Sequence, residues 1–354
     1  MKKILLVTFS DNADHQDTVF GMYEELRKKN KQKIFLLTIK NPKVNIKPSE
    51  HTWFVDCPKR PGITKKTFDF RLLLKIIRWI RKEKFDVIYF ESLHTWNLPI
   101  MMFSGNARTY QVIHEVIPHE GDRQVKMVDL MNKVVCKLAD IIVLRNKKYI
   151  NEMLKRYRVK AKKIKYMELW RRYPSYTEAK HSGRILFFGR LNPYKGADKL
   201  LEIVRQCSEY NFDVVGRVDP QMQYIANELA KQPNVNLHDY YVSDEEMKNY
   251  FVNCDWVILP YNSASQSGVI IDAYKYSRPV ISFEVGAIVE QIIDGKSGYL
   301  IETGNVLQFV EKLHTVMNFS EEKYNEMSKY AYDYGCKKYS VAGAVERFEQ
   351  LVEE

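Results

Sequence analysis

Paired cysteines are missing from this sequence. The five present, Cys57, Cys136, Cys207, Cys254 and Cys336, are odd in number and scattered, and none forms a CxxC pair. That spacing offers neither a disulfide framework nor a zinc site, and it fits a reducing cytosol. Long apolar runs are missing too, with none near the roughly 18 residues that cross a bilayer. The opening Met1-Lys2-Lys3-Ile4-Leu5-Leu6-Val7-Thr8-Phe9 imitates a secretory leader. It gives way at once to Ser10-Asp11-Asn12-Ala13-Asp14 with no cleavage pattern, so a first buried strand is the better reading. Short repeats, low-complexity tracts and nucleic-acid-binding motifs are likewise absent.

What is present is an ordinary globular composition, 45% hydrophobic and 28% charged, over 354 residues. That length exceeds one typical core and predicts two domains. The net charge of +11 is unevenly placed. Residues 1–180 hold 38 of the 55 Lys and Arg but only 19 of the 44 Asp and Glu, which leaves 17 and 25 for residues 181–354. A basic first half suits an anionic surface, and with no nucleic-acid motif the membrane is the expected partner.

The first half alternates strand and helix patterns. Strand-like runs are Ile4–Phe9, Lys33–Thr38, Thr52–Val55, Val87–Phe90, Thr109–Ile113 and Ile141–Leu144, with helix patterns at Thr18–Lys29 and Phe68–Lys84. The second half repeats the alternation with Arg184–Phe188, Phe212–Val215, Val235–Leu237, Trp256–Leu259, Val280–Phe283 and Tyr299–Ile301. Ser243-Asp244-Glu245-Glu246 reads as a capping box. Alternating strands and helices predict parallel sheets covered on both faces. The expectation is two doubly wound Rossmann-like α/β domains facing across a cleft. Their ligands would sit beyond the carboxyl ends of the strands and in that cleft.

The pattern at 68–84 is also amphipathic. Arg71, Lys75, Arg78 and Lys82 share one face, and Leu73, Leu74, Ile76, Ile77 and Ile80 the other. Such a helix can cover a sheet while its cations meet anionic lipid. Lys155, Arg156, Arg158, Lys160, Lys162, Lys163 and Lys165 extend the basic surface.

Two stretches of the second half carry chemistry. In Asp255–Phe283 an apolar strand stops at Pro260, a polar turn Ser263-Ala264-Ser265-Gln266-Ser267-Gly268 follows, and a helix begins. The first amides of a helix are unpaired and carry partial positive charge, so the turn is either a Ser-capped helix start or an anion site. In Phe187-Phe188-Gly189-Arg190-Leu191-Asn192-Pro193-Tyr194-Lys195-Gly196 a strand ends at Gly189, and two cations five residues apart occupy a loop. Gly189 permits a turn or a close ligand approach. Arg190 and Lys195 can be solvated surface or can together neutralise a diphosphate. Side by side, the two stretches supply both halves of a diphosphate site.

GRLNPYKGADKLLE resembles the "GRL…KG…LL" signature of retaining GT-B glycosyltransferases of family 4. Cys254–Pro260, Arg278–Ser282, Gly286-Ala287-Ile288-Val289-Glu290 and Asp294-Gly295-Lys296-Ser297-Gly298 follow in that class's order. The resemblance implies a donor domain at 184–336, a linker at 171–183 and an acceptor-binding domain at 1–170, with a C-terminal helix of about 337–354 returning to the latter. It implies that Arg190 and Lys195 hold the donor diphosphate. Gly189, Gln266, Ser267, Gly268, Asp272, Tyr241 and Glu290 would line the donor site, with the Ser267 and Gly268 amides on a phosphate, Asp272 on the ribose and the backbone at Asp239–Tyr241 against the base.

In the first half, Tyr110–Asp122 resembles an "x-H-D-x-x-P" loop. It implies that His114 lies in the cleft against the donor sugar, either hydrogen-bonding a hydroxyl or steadying charge. Taken alone, a His at a strand end is more often structural. Asp11, Asn12, His15 and His94 are the acceptor-side candidates, Asp11 to His15 from a first loop without the double glycine of many relatives. The class's paired-acid pattern would place its first acid at 264, where Ala264 stands, and Ser265-Gln266-Ser267-Gly268 replaces its Gly-Phe-Gly. A subset of bacterial enzymes carries a similar Gln-Ser-Gly-Val turn.

The resulting expectation is an enzyme that moves a sugar from a UDP- or GDP-sugar to a glycan or polyprenyl- or lipid-linked acceptor in bacterial surface polysaccharide or glycolipid assembly. It would use no cofactor and no metal, bind no nucleic acid, and lie in the cytoplasm on the inner face of the cell membrane. The alternative, motivated by Ala264, is a catalytically silent glycosyltransferase-like subunit that binds a partner or a membrane.

Overall fold

The computed structural model describes the chain except for residues 11–12, 40–47, 57–64, 118–124, 180 and 354. It divides into two compact units, Met1–Arg171 with Val341–Glu354, and Arg172–Ser340.

The first unit runs β1 (Lys3–Thr8), α1 (Ala13–Lys29), β2 (Lys33–Ile39), β3 (Thr52–Val55), α2 (Phe70–Glu83), β4 (Val87–Phe90), α3 (Asn97–Phe103), β5 (Arg108–Ile113), α4 (Val125–Leu138), β6 (Ile141–Leu144), α5 (Ile150–Arg156) and β7 (Ile164–Tyr166). Its sheet has the order β3-β2-β1-β4-β5-β6-β7. The register is parallel on both sides of β1, with Ile4 beside Ile34 and beside Val87. Strands covered on both faces need apolar residues at nearly every position, which is why they read as unbroken runs. One face buries Leu73, Ile76, Ile77 and Ile80 of α2, together with Ile100 and Val135. The other buries Val19, Phe20, Met22 and Leu26 of α1. The same second layer contains Ala344, Val345, Phe348 and Leu351, so the last helix, α12 (Val341–Glu353), is part of this unit's core.

Two expectations here are corrected. The first helix starts at Ala13 and not at Thr18, so most of the expected polar loop is helix. The pattern at 68–84 is a short 3₁₀ turn followed by α2, whose start is set by Asp69 accepting from the Leu72 amide at 3.0 Å. Leu74, expected on the buried face, is 50% exposed, and Phe70, one turn earlier on the helix, is 61% exposed. Helical period assigns a residue to a face, but the width of the covered stripe depends on what packs there.

The second unit runs β8 (Arg184–Phe188), α6 (Ala197–Gln206), β9 (Asn211–Val215), α7 (Gln223–Ala230), β10 (Val235–His238), α8 (Asp244–Val252), β11 (Trp256–Leu259), α9 (Gly268–Lys275), β12 (Val280–Phe283), β13 (Gly298–Ile301), α10 (Val306–Met317) and α11 (Glu321–Tyr339). Its parallel sheet has the order β10-β9-β8-β11-β12-β13. The order reverses between β8 and β11, and such a reversal opens a crevice at the carboxyl ends of those strands. The segment entering β8 is stapled by Asp255. Its buried carboxylate accepts from the Ser182 amide at 2.6 Å, the Ser182 hydroxyl at 2.8 Å and the Gly183 amide at 2.8 Å. Arg278, in the stretch before β12, is also structural. It is buried and donates to the Tyr324 hydroxyl at 2.9 Å and the Val252 carbonyl at 2.6 Å. Among the described residues no helix is long and apolar enough to cross a membrane.

Candidate functional site

At the reversal point of the second sheet, β8 ends in Gly189 and β11 in Pro260-Tyr261. Gly189 has φ +115°, a conformation that side chains disfavour. A Cβ there would strike the Lys195 ammonium, so the glycine makes room for that cation. Gly216, after β9, has φ +138° and presses on the Gly189 carbonyl, where a Cβ would overlap it. Three features shape the cation loop. The Asn192 side chain accepts from the Lys195 amide at 3.2 Å. The Asn262 amide donates to the Tyr194 carbonyl at 2.9 Å, and its side chain to the Pro193 carbonyl at 2.9 Å. Gly196, at φ +68°, lets the loop meet Pro260.

Arg190 is exposed and Lys195 half-buried. Among the described residues the Lys195 ammonium has no carboxylate or carbonyl partner. It stands 5.2 Å from the ring centre of Tyr261. Burial pushes its pKa down to about 8, Tyr194 opposes the fall, and the Arg190 charge adds to it. A cation held in place by glycine and an aromatic face, without a counter-ion, is suited to receiving an anion.

The turn before α9 departs from expectation. The Ser267 amide, assigned above to a phosphate, is already engaged. It donates to the Gln291 side-chain oxygen at 2.7 Å, and the Gln291 amide donates back to the Ser267 carbonyl at 2.9 Å. Gln291 therefore locks the turn, and the anion-facing amides of α9 begin at Gly268. Gln266 is half-buried, and Asp272 is buried one turn into the helix. Ala264 is buried too, and its carbonyl accepts from the Ala287 amide at 3.4 Å. An acid there would be desolvated, and the turn is built for a small side chain. Glu290, the neighbour of Gln291, has its carbonyl held by Lys338 at 2.6 Å. Tyr241 is 76% exposed, past β10, where the Asp239 carboxylate accepts from the Val218 amide at 2.9 Å.

In the first unit a second cluster lies at the carboxyl ends of β4, β5 and β6. Glu91, His114 and Arg145 are the residues that follow these strands. Glu91 is fully buried, and its Oε1 accepts from Arg145 and lies 3.1 Å from His114 Nε2. Desolvation would raise the Glu91 carboxyl, but Arg145 and then His114 outweigh it and hold the pKa at about 2. The His15 ring stacks on His114, with centroids 4.3 Å apart and planes 20° apart. The structure thus joins one acceptor-side candidate to His114. His94 is not part of this cluster. It is buried, packs on Phe9 at 4.9 Å, and its Nδ1 accepts from the Trp96 amide at 3.2 Å, so it is a core residue of the turn. Asp11 and Asn12 lie outside the described residues.

Several site residues escaped the sequence reading. Gly216 repeats the strand-then-glycine pattern of Gly189, which is a usable signal. Arg145 directly follows an apolar run, as a site cation would. Gln291 and Tyr261 leave no local signature.

Residues 173–334 match the family model described as glycosyl transferases group 1. An uncharacterized 41.2 kDa protein in the cps region of Klebsiella pneumoniae is 26% identical over 71% of this chain and 75% of its own length. A GDP-mannose:glycolipid 4-beta-D-mannosyltransferase of Xanthomonas campestris is 30% identical over 32% of this chain, a match spanning only 34% of that enzyme. Anabaena HepE, solved in complex with UDP-glucose, superposes over 100% of both chains with a TM-score of 0.75 at 13% identity, a likeness of fold. The chain has the two-Rossmann-domain fold of GT-B glycosyltransferases, and the group 1 match with the glycosyltransferases among the relatives indicates a transferase enzyme.

Proposed function

We propose that the chain is a retaining glycosyltransferase of the family 4 type, using a UDP- or GDP-sugar. Its acceptor is a glycan or lipid-linked sugar of bacterial surface polysaccharide or glycolipid assembly. The observation that carries this reading is Lys195, a half-buried ammonium at the carboxyl end of β8 that has no counter-ion among the described residues. Arg190 on the same loop and the start of α9 supply further positive charge for a diphosphate. The cps location of the Klebsiella relative and the GDP-mannose donor named for the Xanthomonas relative support the substrate class. So does the UDP-glucose complex of HepE.

In the proposed step the acceptor hydroxyl attacks the anomeric carbon from the face the diphosphate leaves. The carbon–oxygen bond to the phosphate breaks, and the departing phosphate oxygen takes the hydroxyl proton. Lys195, Arg190 and the α9 amides stabilise the charge that develops on the diphosphate, the role a metal plays elsewhere. Residues 184–336 bind the donor, residues 1–170 serve the acceptor, and His114 hydrogen-bonds a sugar hydroxyl. Titration calorimetry with UDP-, GDP- and other nucleotide sugars tests the reading. Binding of one series, lost with Lys195→Ala, is expected. If no nucleotide sugar binds, the silent subunit suggested by Ala264 is the better description.

The first unit is proposed to rest on the anionic inner face of the cell membrane, with the protein cytoplasmic. On α2 the cations Arg71, Lys75 and Arg78 are exposed beside Phe70 and Leu74. Each cation near an anionic surface contributes about 1 kcal/mol. The triple variant Arg71→Glu, Lys75→Glu, Arg78→Glu should therefore bind phosphatidylglycerol vesicles at least about a hundredfold more weakly. Equal sedimentation with both proteins would remove the membrane from this account.

A further inference from the structure

The ring of His114 is held by atoms that can only accept. Its Nε2 lies 2.8 Å from the Glu91 backbone carbonyl and 3.1 Å from Glu91 Oε1. Neither oxygen carries a proton, because a carbonyl cannot and this carboxylate is kept ionised by Arg145. Arg145 is itself fixed. It is fully buried, its guanidinium lies 4.5 Å from the Trp170 ring centre, and it donates to the Met167 and Glu168 carbonyls at 3.2 Å each. The strand register places Ile113 beside Leu144, so His114 and Arg145 leave the sheet together.

We propose that Glu91, locked by Arg145, is the positioning residue of His114. It fixes the proton on Nε2 and leaves Nδ1 as the nitrogen that meets a sugar hydroxyl. The first half of this inference is a property of the chain alone, and the second rests on the transferase reading above. The tautomer follows from the acceptors around Nε2, since the partner of one ring nitrogen decides what the other offers. Among the described residues no protein group takes up Nδ1. Arg145 holds the Glu91 carboxylate in place, and the stacked His15 holds the plane of the ring. His114 then accepts a hydrogen bond from a hydroxyl and need not remove its proton.

Nitrogen-15 correlation spectra of the histidine rings test the first half. In the unmodified full chain near pH 8, His114 should show the Nε2–H tautomer. In Glu91→Gln the backbone carbonyl still takes the Nε2 proton, so the tautomer should persist while the ring-nitrogen shifts of His114 move, and the melting transition stays cooperative. An Nδ1–H tautomer in the unmodified chain, or an unchanged spectrum in Glu91→Gln, overturns the assignment. Kinetics test the second half. An asparagine amide reaches the Nδ1 position and a glutamine amide the Nε2 position. His114→Asn should thus retain at least tenfold more kcat than His114→Gln, with donor KM little changed in either. Equal or reversed losses overturn the Nδ1 role. Because the spectra need no turnover, a chain that transfers no sugar yet shows the Nε2–H tautomer contradicts the enzyme reading without touching the role of Glu91.

Discussion

Lys195→Ala lowers kcat/KM about a thousandfold, the upper end of what losing one preorganised charge-stabilising donor costs. It does so without weakening the fold. The Lys195 ammonium makes no ion pair among the described residues, and burial depresses its pKa from the usual 10.5 to about 8. Between those values the unfolded chain binds more protons than the folded one, so stability rises with pH across that window. Below it, the folded state carries a disfavoured charge. Alanine removes that charge, and the melting temperature at pH 7 should hold or rise. The same depressed value sets a pH limit on activity. As the free enzyme passes about pH 8 the ammonium loses its proton, and kcat/KM should fall toward one tenth per pH unit. Lys195→Arg keeps its charge throughout this range because a guanidinium does not deprotonate there. Its profile should lose the alkaline limb even though its maximum is lower. Profiles from pH 6.5 to 9.5 check both statements. An alanine variant within fivefold of the unmodified enzyme would sink the role given to Lys195.

The reach of the sequence follows from how local each feature is. Parallel strands covered on both faces must be apolar at almost every position, so Ile4–Phe9 and Trp256–Leu259 could be read directly. The cation loop was legible because Gly189, Arg190, Lys195 and Gly196 lie within eight consecutive residues. Features that depend on distant partners were not legible. The Ser267 amide looked available until Gln291, 24 residues later, was found on it. Glu91 and Arg145, 54 residues apart, are joined only by the sheet. Leu74 has the right helical phase for burial, but phase does not say how wide the covering layer is. Ser10–Asp17 looked like a polar loop because its residues favour turns. Tertiary packing of Val19, Phe20 and Met22 makes α1 start sooner.

Gly196→Ala is expected to remove both stability and activity, through close approach more than through strain. Gly196 has φ +68°, and a Cβ there would overlap the carbonyl oxygen of Pro260. A left-handed alanine costs on the order of 1 kcal/mol, and forcing apart packed backbone adds about 1–3 kcal/mol. The displaced group is the end of β11 itself. Moving Pro260 moves Tyr261, whose ring lies under the Lys195 ammonium, so donor binding should weaken with stability. Gly295→Ala separates the two contributions. Gly295 has φ +72°, nearly the same backbone strain, but its added Cβ would meet nothing within 4 Å. Urea unfolding of the two variants should differ by at least about 1 kcal/mol, the overlap term alone, with Gly196→Ala the weaker. Equal midpoints would mean that Gly196 is kept for its backbone angle and not to let the cation loop touch the end of β11. Because Gly295 lies away from the cation loop, donor affinity in Gly295→Ala should match the unmodified chain. A shared loss of affinity would show that general destabilisation, and not displacement of Tyr261, weakens the site.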